Sequence, residues 1–336
     1  MVHTRVLPGA DDATMREAAA AIRAGEPVAF PTETVYGLGA NALDGQAVAR
    51  VFAAKDRPSF DPLIVHLADA GEVRRYALAA DADDPRVAML ATAFWPGPLT
   101  IVLRKLSLIP GIVSAGLDTV GLRVPEHPVA RRLIAAAGVP IAAPSANRFG
   151  RASPTRAEHV VAQLGGRIGI VLDGGPCRVG VESTVIQLAE GRAILLRPGG
   201  TPTEVLEALI GPLEHVEAGT DTISLAPGRA MSHYAPRTPL ELVAPGGGAT
   251  ARAGERLGLM AADDAGRLVA LASGGPYAAL EVLSAAGDDV EQAASLFDAL
   301  HRLDAAGLDR IVAQAVPERR LGRAIMDRLR RAAASR

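Results

Sequence analysis

The sequence predicts an α/β protein of two domains, and three observations carry that prediction. From the N-terminus to about residue 210, segments with helical periodicity alternate with short apolar runs that read as strands. Between residues 211 and 239 the periodicity is lost and four prolines occur. From Leu240 onward a second, shorter alternation begins. The length of 336 residues agrees with two domains.

Taken in order, DATMREAAAAIRAG opens at an Asp cap and stops at Gly25, so it reads as a helix. PVAF follows as a strand. PTETVYGLGAN (31–41) has the composition of a loop whose backbone approaches a ligand, or simply of a tight turn. Further helices fit GQAVARVFAA, PRVAMLATAF, PVARRLIAAAG and TRAEHVVAQLGG. Strands fit PLIVHL, LTIVLR, TVGLRVP, PIAA, IGIVLDGG, STVIQL and AILLRPG. Residues 211–239 are too long for an ordinary connection and read as a tether or a lid. LELVAP, RLGLMAA and RLVALAS then lead to the long helix VEQAASLFDALHRLDAAG, to DRIVAQAV and to a basic tail helix. Leu321, Ile325 and Leu329 share one face of that tail, which predicts docking rather than a nucleic-acid arm.

Composition narrows the function. Hydrophobic residues are 49% and charged residues 21%, ordinary for a globular chain, while aromatics are only 3%, which speaks against a surface that stacks RNA bases. Residues 1–203 carry 21 basic and 19 acidic side chains and residues 204–336 carry 14 and 18, so neither part is a polycation. The single cysteine, Cys177, excludes an internal disulfide and a multi-cysteine zinc site and reads as a small buried apolar group. The two lysines, Lys55 and Lys105, lie outside any P-loop pattern, and neither G-x-S-x-G nor H-E-x-x-H occurs. With no apolar leader and no long apolar run, the expectation is a cytoplasmic protein without a membrane segment.

Polar residues cluster at strand ends. Lys55 and Arg57 form a pair that suits a polyphosphate, or a solvated helix end whose charges favour its dipole. His66 falls inside the next strand. Arg123 lies within an apolar strand and must be paired, either with a ligand carboxylate or with an internal acid. Ser145 and Asn147 project to one side of the extended turn after PIAA, and Ser183, Thr184 and Arg197 stand at later strand ends. His127 and His159 read as helix-surface residues.

Together these segments resemble the threonylcarbamoyl-AMP synthase family, the YrdC-like domain in its long two-domain form. The resemblance runs from about residue 14 to the C-terminus. It rests on K-x-R at Lys55-Asp56-Arg57 and S-x-N at Ser145-Ala146-Asn147, with PTETVYGLG, RPSFDPLIVH, WPGPLT, GLRVP, APSAN, ESTVI, LRPG and HYAPRTPL in order. It implies a twisted open sheet with a large concave cavity over residues 12–210, a linker or lid over 211–239, and a Rossmann-like α/β domain over 240–336. The implied reaction joins L-threonine, bicarbonate and ATP into threonylcarbamoyl-AMP and diphosphate, with Mg²⁺ on the triphosphate. A separate complex then transfers the group to tRNA, so direct tRNA binding is expected to be weak or absent. Around threonine the resemblance places Thr34, His66, Arg123, Ala143 through its backbone, and Ser183. Around ATP it places Lys55, Arg57, Asp61, Thr119, Ser145, Asn147, Ser153, Arg197 and Tyr234, with Lys55 and Arg57 as the catalytic pair. Asp61 stands where many relatives have Asn, so it needs Arg57 or Mg²⁺ beside it. The alternatives are an RNA-binding translation or ribosome-maturation factor using the same cavity, which the charge balance disfavours, and a carbamoyl-transfer maturation protein, whose zinc fingers a single cysteine cannot build.

Overall fold

The computed structural model describes residues 2–58, 60–215, 234–274 and 276–334, so 216–233 of the expected linker lie outside the described residues. The chain divides into two compact units, one of Met1–Phe149, Pro154–Arg178 and Glu182–Arg229, the other of Gly150–Ser153, Val179–Val181 and Ala230–Arg336. No helix among the described residues is long and apolar enough to cross a membrane.

The first unit holds helices α1 (Asp12–Arg23), α2 (Gly45–Lys55), α3 (Ala79–Ala82), α4 (Pro85–Phe94), α5 (Pro128–Ala137), α6 (Ala157–Leu164) and α7 (Thr203–Ile210). Its strands are β1 (Arg5–Pro8), β2 (Val28–Phe30), β3 (Gly37–Asn41), β4 (Ile64–His66), β5 (Leu99–Arg104), β6 (Thr119–Arg123), β7 (Ile141–Ala142), β8 (Ile170–Asp173), β9 (Thr184–Ala189), β10 (Arg192–Arg197) and β11 (Glu214–His215). All belong to one sheet in the order β1-β8-β2-β3-β7-β4-β6-β5-β9-β10-β11, with parallel and antiparallel pairs mixed. Helix starts follow from short polar caps: Asp11 accepts from Thr14 N at 2.7 Å and Asp44 from Gln46 N at 2.9 Å. Gly138, at φ 68°, ends α5 in the left-handed conformation that glycine adopts without strain.

Strand alternation divides the burial. Val28 and Phe30 pack with α1 and α5, and Ala29, Leu38 and Ala40 with α2 and α6, so both faces of this half of the sheet are covered. In the other half Val65, Ile101, Leu103, Leu122, Ile186 and Leu195 enter the largest core cluster on one face. Among the described residues the opposite face holds the small cluster Ile64, Val102, Val185 and Leu196, with Ile194 packed against it. Polar side chains occupy the rest of it.

The second half of PTETVYGLGAN is a strand rather than loop or turn: Gly37–Asn41 pairs antiparallel with β2. Its glycines hide it from propensity, yet packing demands one of them, since a Cβ on Gly39 would lie 2.5 Å from Ile141 Cγ2 and 2.6 Å from Phe30 Cε1. The histidines also differ from expectation. His127 caps α5, its Nδ1 accepting from Val129 N at 3.2 Å. His159 is buried, and its Nδ1 accepts from Thr155 N at 3.3 Å, because the loop before α6 folds back onto it. Cys177 is buried as expected, and burial pushes its thiol pKa up.

The second unit carries β12 (Leu240–Val243), β13 (Leu257–Ala261), β14 (Tyr277–Val282) and β15 (Arg310–Gln314) with α8 (Asp264–Ser273), α9 (Asp289–Ala305) and α10 (Gly322–Ala333). Its sheet is parallel in the order β12-β15-β13-β14. RLVALAS lies in α8. The tail docks through Leu321, Ile325 and Leu329, all buried.

Candidate active site

Register places the polar side chains of the first unit in a row. His66 on β4 pairs with Arg123 on β6, and the pairing of Ile101 with Leu122, carried one residue on, sets Thr100 of β5 beside Arg123. Thr100 pairs in turn with Val185 of β9. A bulge between Leu195 and Arg197 sets Arg197 opposite Val185 and therefore on the same face. Thr119, two pairs of residues back along β6, shares that face by alternation. The row crosses five strands opposite the largest core cluster.

Arg123 is buried and paired inside the protein. Its Nη2 donates to Glu33 Oε1 at 2.5 Å and to Thr34 Oγ1 at 3.0 Å, and its Nε donates to Gly97 O at 3.2 Å. Glu33 Oε2 accepts from Glu126 N at 3.0 Å. Burial opposes ionisation of Glu33, but the Arg123 charge and these hydrogen bonds hold its pKa below the ordinary carboxylate value. His66 stands edge-on to Phe30, ring centroids 6.2 Å apart. Burial first, and the nearby Arg123 charge second, lower its pKa to about 3, so the ring is neutral. Among the described residues its buried Nδ1 has no hydrogen-bond partner, a state that a ligand donor would relieve.

A second group joins the two short motifs. Lys55, at the end of α2, donates from Nζ to Ser145 O at 2.5 Å and to Asn147 O, while Phe149 N donates to Lys55 O at 2.9 Å. Asp56 between them adopts φ 53° and its carboxylate pairs with Arg148 and Arg167. K-x-R and S-x-N are therefore one clip, closed by backbone and side chain alike. Burial, then the Arg57 charge, draw the Lys55 pKa well below its ordinary value. Arg57 lies 5.9 Å from the ring centroids of Phe52 and Phe149, donates from Nη2 to Pro62 O at 3.0 Å and meets Asp61 Oδ2 at 2.9 Å. The Asp61 carboxylate thus has the Arg57 partner that the sequence requires of it. Ser145 bridges to Gly37, and Asn147 Nδ2 donates to Arg148 O at 2.8 Å. Ala143 N donates to Ile64 O at 3.0 Å, which leaves its carbonyl as the backbone group able to meet a ligand.

Ser183 Oγ lies 2.8 Å from Thr100 Oγ1, and Arg197 Nη2 donates to Ser183 O at 2.9 Å. Gly199 makes this approach feasible. A Cβ there would lie 2.3 Å from Glu182 O and 2.4 Å from Thr184 N, both backbone atoms. Gly199→Ala is therefore expected to cost about 1 to 3 kcal/mol in urea denaturation and to loosen Arg197. An unchanged denaturation midpoint would contradict the close approach.

Ser153 and Tyr234 belong to the second unit. Ser153 O lies 3.0 Å from His301 Nε2. Tyr234 is buried at φ 67°, its ring 5.6 Å from Phe297 and 5.3 Å from the Arg328 guanidinium. Glu33 and Thr100 were not among the residues singled out in the sequence. Arg123 in an apolar strand called for an acid, and Thr100 is a lone hydroxyl in the apolar run LTIVLR, so each had a signal. Among the described residues no group of three or more His, Cys, Asp or Glu is placed to hold a metal ion.

Known proteins resemble the chain over nearly its whole length. A family model described as telomere recombination (Sua5, YciO, YrdC) matches residues 20–199, and one described as the threonylcarbamoyl-AMP synthase C-terminal domain matches 201–334. The threonylcarbamoyl-AMP synthase of Pyrococcus abyssi is 46% identical over 327 residues, 96% of this chain and 94% of that one. That of Bacillus subtilis is 42% identical over 343 residues, covering 97% and 94%. The crystal structure of P. abyssi Sua5 complexed with L-threonine superposes with a TM-score of 0.86 at 40% identity, covering 100% of this chain and 98% of that one. A family model spanning more than half of the sequence, with relatives this similar over nearly its whole length, shows that the chain belongs to the threonylcarbamoyl-AMP synthase family.

Proposed function

We propose that this protein joins L-threonine, bicarbonate and ATP into threonylcarbamoyl-AMP and diphosphate, the first step of threonylcarbamoyladenosine modification of tRNA. The observation that carries the reading is the row of His66, Arg123, Thr100 and Arg197 on one sheet face together with the clip that holds Lys55 against Ser145 and Asn147. The relatives' shared name supplies the chemistry.

In this reading Thr34, His66, Arg123, the Ala143 carbonyl and Ser183 surround threonine. Lys55, Arg57, Asp61, Thr119, Ser145, Asn147, Ser153, Arg197 and Tyr234 serve ATP. The threonine amine attacks the bicarbonate carbon with loss of water, and a carbamate oxygen then attacks the α-phosphorus and expels diphosphate. No protein nucleophile is needed. The protein orients the reactants and neutralises charge on the transferring phosphate through the catalytic pair Lys55 and Arg57, together with Arg197. Mg²⁺ enters on the triphosphate as part of the substrate, since Asp61, the carboxylate of this group, is already matched by Arg57.

Residues 12–210 form the catalytic domain of this proposal, 211–239 its linker or lid, of which 216–233 lie outside the described residues, and 240–336 the C-terminal domain. Support for a role of Tyr234 comes from its backbone: a non-glycine residue held at φ 67° is strained, and such strain gathers at functional positions. A separate transfer complex would consume the product in the cytoplasm.

Diphosphate release from ATP, measured with threonine and bicarbonate each present or omitted, tests the reading. Both should be required, and serine should be poorer by about 1 to 3 kcal/mol because it lacks the methyl. Diphosphate release that is indifferent to threonine would overturn it.

A further inference from the structure

Arg123 and Glu33 form a buried pair whose hydrogen-bonding capacity is only partly used. Among the described residues Arg123 spends Nε and Nη2, and Nη1 donates to nothing. Among the described residues the Glu33 carboxylate accepts from Arg123 on one oxygen and from Glu126 N on the other, with its own backbone N–H nearby, while its two oxygens together have four lone pairs. Both side chains are buried, Arg123 at 3% and Glu33 at 3% exposure, and Arg123 stands in the row with His66, whose Nδ1 lacks a partner among the described residues. A buried site that keeps one donor edge on a cation and acceptor capacity on the adjacent anion is complementary to a ligand carrying a carboxylate and an ammonium on neighbouring atoms. Charge balance agrees. The pair is neutral and a zwitterion is neutral, so the complex buries no net charge, whereas a simple carboxylic acid anion would leave one in excess.

We infer that Glu33 is a specificity-determining residue of the amino-acid site: its carboxylate receives the α-ammonium while Arg123 Nη1 receives the α-carboxylate of the same molecule. The inference rests on the reading that threonine binds beside Arg123, and it adds the group that distinguishes an amino acid from other hydroxy acids. The competing account makes Glu33 only the counter-ion of Arg123, either holding the guanidinium in place or occupying the position that the substrate carboxylate must take.

The test is calorimetric binding of two probes to the full chain without ATP: L-threonine and (R)-3-hydroxybutyrate, which is threonine without its amino group. Wild-type protein should prefer threonine. In Glu33→Gln, which keeps one acceptor oxygen for Arg123, turns an NH2 toward Glu126 N and carries no charge, the threonine Kd should rise at least about tenfold while that of 3-hydroxybutyrate stays within a few-fold, so the preference collapses. Equal weakening of both ligands would make Glu33 a holder of Arg123 and overturn the inference. Tighter binding of both would make it a competitor for Arg123 and also overturn it. Where Glu33→Gln does not fold, Glu33→Asp withdraws the carboxylate by one methylene at constant charge, and an undiminished preference for threonine would then refute the assignment. Wild-type protein that binds neither probe would overturn the threonine reading itself.

Discussion

Arg123→Leu is expected to destabilise the protein by about 3 to 5 kcal/mol, because it leaves the Glu33 carboxylate buried without its cation. It should also raise the threonine KM steeply while ATP affinity, measured without threonine, stays within a few-fold. The pH dependence has a defined sign. In the wild type Arg123 holds the Glu33 pKa below its unfolded value, so the pair contributes stability above that unfolded value and loses it as pH falls. In the variant burial outweighs the hydrogen bond that remains from Glu126 N, the folded pKa lies above the unfolded one, and the penalty grows as pH rises from the unfolded value toward the folded one. The stability gap between the two proteins should therefore be wide at pH 7 and narrow toward pH 4. A second substitution separates fold from function. Arg123→Leu with Glu33→Leu replaces the pair by apolar side chains and should regain much of the stability without regaining threonine binding. Urea denaturation and threonine kinetics on both variants check this. A single variant as stable as wild type, or a double variant with normal threonine KM, would refute the account.

Much of the first unit's framework is legible because its strands are short apolar runs closed by helix caps. PRVAMLATAF and LTIVLR match α4 and β5 residue for residue. β3 was not legible, since three of its five residues are Gly or Asn and its stability comes from packing Gly39 under Phe30 and Ile141. β14, Tyr277–Val282, was likewise unread, its pairing with β13 being a long-range choice that local pattern does not record. In the site, single positions were readable and partnerships were not. The need of Arg123 for a carboxylate follows from one apolar strand, but naming Glu33 requires knowing that residues 90 apart in sequence meet. His66 and Arg123 fall side by side only through the register of β4 with β6. The bulge that aims Arg197 has no signature in LLRPGG, because a bulge is defined against the partner strand.

Lys55→Met should cost at least about 3 kcal/mol in kcat/KM for ATP, more than a hundredfold, because two charge-assisted hydrogen bonds and the ammonium are lost together. Arg57 already meets the Asp61 carboxylate, whereas Lys55 is buried against backbone carbonyls and, among the described residues, forms no ion pair. Under the proposed function Lys55 should therefore face the triphosphate more directly than Arg57, and its loss should exceed that of Arg57. Methionine fills the same space but removes the ammonium donor from Ser145 O and Asn147 O, at a cost of about 1 to 3 kcal/mol in stability. The clip between K-x-R and S-x-N should open, and Ser145 and Asn147 should lose their positions even though neither is altered. Threonine binding without ATP should stay within a few-fold of wild type, since Arg123, Glu33 and Thr34 hold one another independently of Lys55. The lowered Lys55 pKa adds a readout that a purely structural role would not move. Wild-type kcat/KM for ATP should fall with rising pH well before a solvent-exposed lysine would titrate, and Lys55→Met should lack that alkaline limb. A variant that keeps the limb, or loses threonine and ATP binding in equal measure, would reduce Lys55 to a structural strut of the turn.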